Sequence, residues 1–110
     1  MDQKTALITG ASSGIGLELA RLAAQDRCNL VIVSRDSERI EQVAAGLHDR
    51  YGAHVRPVAK DLSTAAGISE LCADLTNAGT AIDILINNAG VGLYAPWPSS
   101  VRTRSIGWCN

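Results

Sequence analysis

Apolar and polar positions along this chain follow two alternating periods, and each change of period marks the boundary of a short element. Ala6-Leu7-Ile8 is a continuous apolar run, after which Ile15, Leu17, Leu19, Ala20, Leu22 and Ala23 recur at helical spacing with Glu18, Arg21 and Gln25 between them. That stripe predicts a helix with one buried side. Asn29-Leu30-Val31-Ile32-Val33-Ser34 is again nearly continuous and branched, the pattern of a strand covered on both faces. Carried along the chain, the reading predicts strand 4–9, helix 14–27, strand 29–34, helix 36–51, strand 54–60, helix 64–78 and strand 82–87. Four strands alternating with three helices predict an α/β fold, a doubly wound parallel sheet of order 3-2-1-4 with helices on both faces. A ligand then belongs outside the carboxyl ends of the strands, where the order reverses between the first and fourth.

The segment at that place is Thr9-Gly10-Ala11-Ser12-Ser13-Gly14-Ile15-Gly16. To carry a pyrophosphate, the backbone must leave a strand, turn sharply and enter a helix whose first amides point at the ligand. Gly10 suits the tight turn, Gly14 lets phosphate approach the main chain, and Gly16 lets the helix pack closely on the strand. The Ser12 and Ser13 hydroxyls can donate to phosphate oxygens or cap the helix. The plain alternative is an ordinary strand-to-helix loop, but the flanking strand and amphipathic helix match what phosphate binding requires.

Thr-Gly-x-x-x-Gly-x-Gly, together with Asn87-Asn88-Ala89-Gly90 after Ile82-Asp83-Ile84-Leu85-Ile86 and with Asp61-Leu62 after the third strand, resembles the short-chain dehydrogenase/reductase family. The resemblance covers residues 3 to about 94 and implies a Rossmann-type sheet lacking its C-terminal half. By that resemblance, Gly10, Ser12, Ser13, Gly14, Ile15 and Gly16 hold a pyrophosphate, Asp61 and Leu62 lie beside adenine, and Asn88, Ala89 and Gly90 lie on the adenosine ribose side. Asn88 has a structural alternative, tying neighbouring strands together, since a buried amide must find partners in any case. Asn77-Ala78-Gly79 repeats part of the later motif but follows a helical pattern, and is expected to be a helix stop.

Cofactor choice is read at the end of the second strand, where a carboxylate accepts from a ribose 2'-hydroxyl and a basic side chain pairs with a 2'-phosphate. This chain has Ser34-Arg35 there. In the family pattern the acidic residue of NAD-dependent members falls at the position of Ser34, so its absence removes a repulsion, and Arg35 supplies a planar donor fork. NADP is therefore expected in preference to NAD. Asp36 lies at the distance of a ribose-binding carboxylate but also begins a helical pattern, and a helix cap is its expected role.

Composition narrows the remaining classes. Ten Lys and Arg against eleven Asp and Glu give a net charge of −1, which offers no field for nucleic acid or anionic lipid. No apolar stretch is long enough to span a bilayer, and Met1-Asp2-Gln3-Lys4 leads into the first strand without a signal-type region, so a cytoplasmic setting is expected. Cys28, Cys72 and Cys109 have no metal-type spacing and read as reduced thiols, and His48 and His54 lack a ligand cluster.

After Tyr94 the pattern fails. Residues 95–110 hold both tryptophans, two of the three prolines and no acidic residue, without helical or alternating period. The chain thus divides into a dinucleotide-binding half-domain, 1–94, and an irregular tail, 95–110. Members of the family use Tyr-x-x-x-Lys on a helix as the acid/base pair, but four residues after Tyr51 and Tyr94 stand Val55 and Pro98, so no catalytic residue carries over. Two readings follow. One is the NADP-binding part of an oxidoreductase whose pattern is cut short or shifted in frame after Tyr94, inactive by itself. The other is a small non-catalytic nucleotide-binding or interaction module whose tail covers the open edge of the fourth strand. With no fifth strand beside it, that apolar fourth strand is expected to drive self-association.

Overall fold

The structure is a computed structural model describing residues 4–12, 14–87 and 103–109, with Asn87 and 103–109 described by their backbone alone. The elements are β1 (Thr5–Thr9), α1 (Gly14–Gln25), β2 (Asn29–Ser34), α2 (Ser37–Tyr51), β3 (Val55–Ala59), α3 (Ala65–Asn77), β4 (Ile82–Asn87) and β5 (Thr103–Cys109). They form one parallel sheet of order β3-β2-β1-β4-β5. The first four strands have the expected order. β1 lies between β2 and β4, with Leu7 level with Val31 and Leu85, and all five of its residues are buried.

Because side chains alternate along a strand, the sheet serves two cores. Ala6, Ile8, Leu30 and Ile32 pack with Ala20 and Ala24 of α1 and with Ile40, Ala44 and Leu47 of α2. Leu7, Val31, Val33 and Leu85 face the other way and pack with Leu71, Cys72 and Leu75 of α3. Burial pushes the Cys28 and Cys72 thiols above the ordinary cysteine range, so these free thiols stay protonated.

The helix after the glycine turn differs from its sequence pattern. The buried stripe of α1 is Gly16, Ala20 and Ala24, while Ile15 and Leu22 are 70% and 57% exposed. Small residues at every fourth position let the helix lie close on the sheet, and that close approach selects them over the larger apolar arc. The helix also stops at Gln25 instead of 27, because Arg27 takes a left-handed φ of 62° and Cys28 N–H turns back to the Ala23 carbonyl. The other helix ends follow the sequence. Asp36 caps α2, accepting from Arg39 N–H, and Gly52 ends it at φ 69°. α3 ends at Asn77, and Gly79 at φ 65° carries the turn, so Asn77-Ala78-Gly79 is a helix stop.

The tail requires a correction. Residues 103–109, expected to be irregular, form β5, which runs parallel to β4 with Ile84, Leu85 and Ile86 level with Gly107, Trp108 and Cys109. β4 is therefore paired on both sides, and the expected route to self-association through an exposed fourth strand is withdrawn. The reason is physical: the unpaired amides and carbonyls of a central-type strand recruit backbone, and backbone pairing needs no side-chain period. Among the described residues the open edges are β3 and β5, and β3 carries Pro57, a residue suited to an edge because it donates no ladder hydrogen bond.

Near the ligand end, α3 approaches the chain so closely that a Cβ on Gly67 would collide with the Asp61 carbonyl. Gly67→Ala is expected to destabilise the fold by about 1–3 kcal/mol through overpacking. Gly46, exposed in α2 with nothing within 4 Å of an added Cβ, gives the control. Gly46→Ala should stabilise by about 0.5–1 kcal/mol, since glycine is the poorer helix former. Urea unfolding of both variants measures the pair, and equal effects would show that the contact at Asp61 is not tight.

Candidate functional site

Thr9 lies level with Val33 and Asn87, so the carboxyl ends of β1, β2 and β4 reach one edge at the point where strand order reverses. The glycine-rich turn is fastened there by backbone. Gly10 N–H and Ala11 N–H both donate to the Val33 carbonyl, at 2.9 and 3.3 Å, with Gly10 at φ 65°. Gly14 opens α1 at φ 61°, and a Cβ there would meet nothing within 4 Å. Conformation, not packing against the protein, selects glycine at that position, and the space beside it is open. Gly16 is buried where α1 meets the sheet, and Ile15 is exposed at the helix start.

At the end of β2, Ser34 Oγ donates to Ser12 Oγ at 3.0 Å and accepts from Asp36 N–H at 3.3 Å. The edge continues to β3 through Lys60 N–H, which donates to the Ser34 carbonyl at 3.0 Å. Lys60 itself is engaged, its Nζ lying 3.1 Å from Glu70 and 3.8 Å from Asp74 of α3. Arg35 is exposed, and no hydrogen bond among the described residues holds its guanidinium.

Asp61 and Leu62 follow β3 but face differently. Leu62 is 6% exposed and packs with the α3-side core, whereas Asp61 is exposed. Asp61 Oδ1 accepts from the Ser63 hydroxyl and from Ser63 N–H at 2.9 Å. The hydroxyl bond and then the backbone bond hold its carboxyl below the ordinary aspartate range, against an opposing effect of burial that outweighs the weaker help of the Arg35 charge.

Thus Gly10, Ser12, Gly14, Ile15, Gly16, Ser34, Arg35, Asp61 and Leu62 belong to one strand-end edge. Ser13, Asn88, Ala89 and Gly90 lie outside the described residues. Two participants were missed in the sequence reading. Ser63 donates twice to Asp61 and holds its pKa down, and Arg39 of α2 donates from Nε to the Ser12 carbonyl at 2.9 Å. A serine two residues after an aspartate at a helix approach is a readable turn signal, but nothing in the spacing marks Arg39 for a carbonyl so distant in sequence. Among the described residues no group of three His, Cys, Asp or Glu could hold a metal ion, and no helix is long and apolar enough to cross a membrane.

The family model described as short chain dehydrogenase matches residues 4–104. The chain is 38% identical over 94 residues to the NADP-dependent 3-hydroxy acid dehydrogenase of Schizosaccharomyces pombe, a match covering 84% of this chain and 36% of that protein. It is 39% identical over 89 residues to the chlorophyll(ide) b reductase NOL of Arabidopsis thaliana, covering 81% and 26%. Among solved structures it is similar to L-sorbose reductase from Gluconobacter frateurii complexed with NADPH and L-sorbose, with a TM-score of 0.77, 37% identity and coverage of 83% and 35%. A short-chain dehydrogenase from Sphingobium yanoikuyae in complex with NADPH gives a TM-score of 0.72, 42% identity and coverage of 79% and 34%. The chain spans well under half the length of each of these relatives.

The depressed Asp61 pKa favours the carboxylate in the folded chain. Its contribution to stability is present above the unfolded aspartate pKa and is lost as pH falls through the folded one. Ser63→Ala should raise the Asp61 pKa partway toward the ordinary value, because the backbone bond survives, and Arg35→Ala should raise it less. Carboxyl NMR titration of the variants reads the order directly, and a larger effect of Arg35→Ala would reverse the assignment of causes.

Proposed function

Because this chain belongs to the short chain dehydrogenase family, we propose that it is the NADP-binding part of an oxidoreductase, with residues 1–94 as the dinucleotide-binding unit and residues 103–109 completing its sheet. The observation that carries the cofactor reading is the Ser12–Ser34 hydroxyl pair at the end of β2. A hydroxyl stands where a carboxylate would repel a 2'-phosphate, and the exposed Arg35 guanidinium follows it in sequence. Asp36 keeps the helix-cap role in this reading, its Oδ1 accepting from Arg39 N–H at 3.1 Å.

The residues fit the group in kind. Gly10 and Gly14 supply left-handed turns that keep side chains off the pyrophosphate, α1 presents its first amides, and Ser12 offers a hydroxyl beside them. Ser13 and Asn88-Ala89-Gly90 join the site in the proposal, on the pyrophosphate and ribose sides. Asp61 stays ionised as an acceptor for an adenine amino group, and Leu62 follows it, anchored in the α3-side core beside the adenine. Bound NADPH supplies a hydride for a carbonyl, or NADP accepts one from an alcohol. Within these 110 residues no tyrosine has a lysine four positions later, so the proton transfer that accompanies hydride movement has no donor of the family type here. The chain binds the cofactor and leaves the chemistry to residues it does not contain.

The β5 strand favours a second reading. Its pairing with β4 is the edge cover that a self-contained nucleotide-binding module needs. Both readings require cofactor binding, and they separate when residues 103–110 are deleted: a module then loses folding and binding together, whereas a part of a larger enzyme regains both when the family's remaining segment is supplied.

Arg35→Ala is expected to weaken NADPH relative to NADH by about 1.5–3 kcal/mol, the range for hydrogen bonds to charged groups, or roughly ten- to a hundredfold. Asp36→Asn should leave the preference nearly unchanged. Calorimetric titration with each dinucleotide measures both, and equal losses for NADPH and NADH in Arg35→Ala would remove Arg35 from the 2'-phosphate.

A further inference from the structure

Arg39 lies beside the glycine-rich turn without a role in the reading above. It stands three residues after the N-cap Asp36, in the first turn of α2, where the helix end already carries partial positive charge and disfavours a cation. Helix stability therefore does not account for it. What it does make is a hydrogen bond from Nε to the Ser12 carbonyl at 2.9 Å, while Ser12 Oγ accepts from Ser34. Ser12 is thus held at two atoms, by the end of β2 and by the start of α2.

The carbonyl matters because of its sign. A turn that offers amide groups to a pyrophosphate must aim its carbonyl oxygens elsewhere, since each would repel a phosphate oxygen, and each carbonyl so turned needs a donor. We propose that Arg39 is a positioning residue of the cofactor turn: through Nε it holds the Ser12 carbonyl on the α2 side and so preorganises the turn for the pyrophosphate of either nicotinamide dinucleotide. This rests on the cofactor reading above. It separates the two arginines, with Arg35 discriminating at the ribose and Arg39 serving the part of the ligand that NADPH and NADH share.

Two substitutions isolate the atom. The fourth side-chain atom beyond Cα is Nε in arginine, Nε2 in glutamine and a methyl carbon in methionine. Arg39→Gln keeps an N–H donor at that place without the charge, and Arg39→Met removes the donor at similar length. Arg39→Met should weaken NADPH and NADH by the same factor, about three- to tenfold for one hydrogen bond, whereas Arg39→Gln should bind both nearly as the parent chain does. Amide hydrogen exchange without cofactor gives an independent arm: Gly10 and Ala11, bonded to Val33, should exchange faster in Arg39→Met and at the parental rate in Arg39→Gln. A loss shared by both variants and confined to NADPH would make Arg39 a phosphate contact and overturn the proposal. So would unchanged binding and exchange in Arg39→Met. If the parent chain bound neither dinucleotide, the cofactor reading would fall, yet faster exchange in Arg39→Met alone would still sustain the hold on the turn.

Discussion

The ligand edge depends on a single oxygen. The Val33 carbonyl accepts from both Gly10 and Ala11, so the turn after β1 is tied to the end of β2 before any side chain is considered. That tie is available only because β1 and β2 run parallel and in a register that sets Thr9 level with Val33. A slip of one residue would move the Val33 carbonyl to the other side of the ladder and exchange the two faces of β2 between the cores. Apolar packing on both faces thus fixes the register, and the register fixes the turn.

Polar groups around the edge divide into those already committed and those left over. Asp36 is occupied by the start of α2, Asp61 by Ser63, and Lys60 by two carboxylates of α3. Arg35 remains, together with the Ser12–Ser34 hydroxyl pair. The commitments matter because an exposed ion pair is worth little to stability, yet it decides which charges a ligand meets on arrival.

Much of this was readable from the chain. Continuous apolar runs located β1, β2 and β4, and helical spacing located α1 to α3 with errors of one or two residues at their ends. The left-handed turn at Gly10, the Asp36 cap and the stop at Gly79 each follow from local residue chemistry and are legible in the sequence. The period of α1 revealed a helix but not which apolar arc is buried, because close approach to the sheet favours Gly16, Ala20 and Ala24 over larger neighbours. Similarly, Arg27 ends α1 in a conformation that sequence assigns to glycine. β5 escaped because an added edge strand is held by its backbone, and Arg39 escaped because its partner is a main-chain carbonyl, which has no residue type to recognise.

The buried Asp83 carboxylate accepts from Thr5 N–H at 2.9 Å across 78 positions of sequence, at the opposite end of the sheet from the ligand edge. This contact and the β1–β4 ladder make the central strand wait for the fourth. As the chain leaves a ribosome, β1 can pair with β2 early, but its other side stays open until Asn87 has emerged. Long-range pairing of this kind is slow because the loop must close before the contacts form. Until then the nascent chain holds an apolar strand with one bare flank, the kind of exposed edge that invites association with other chains.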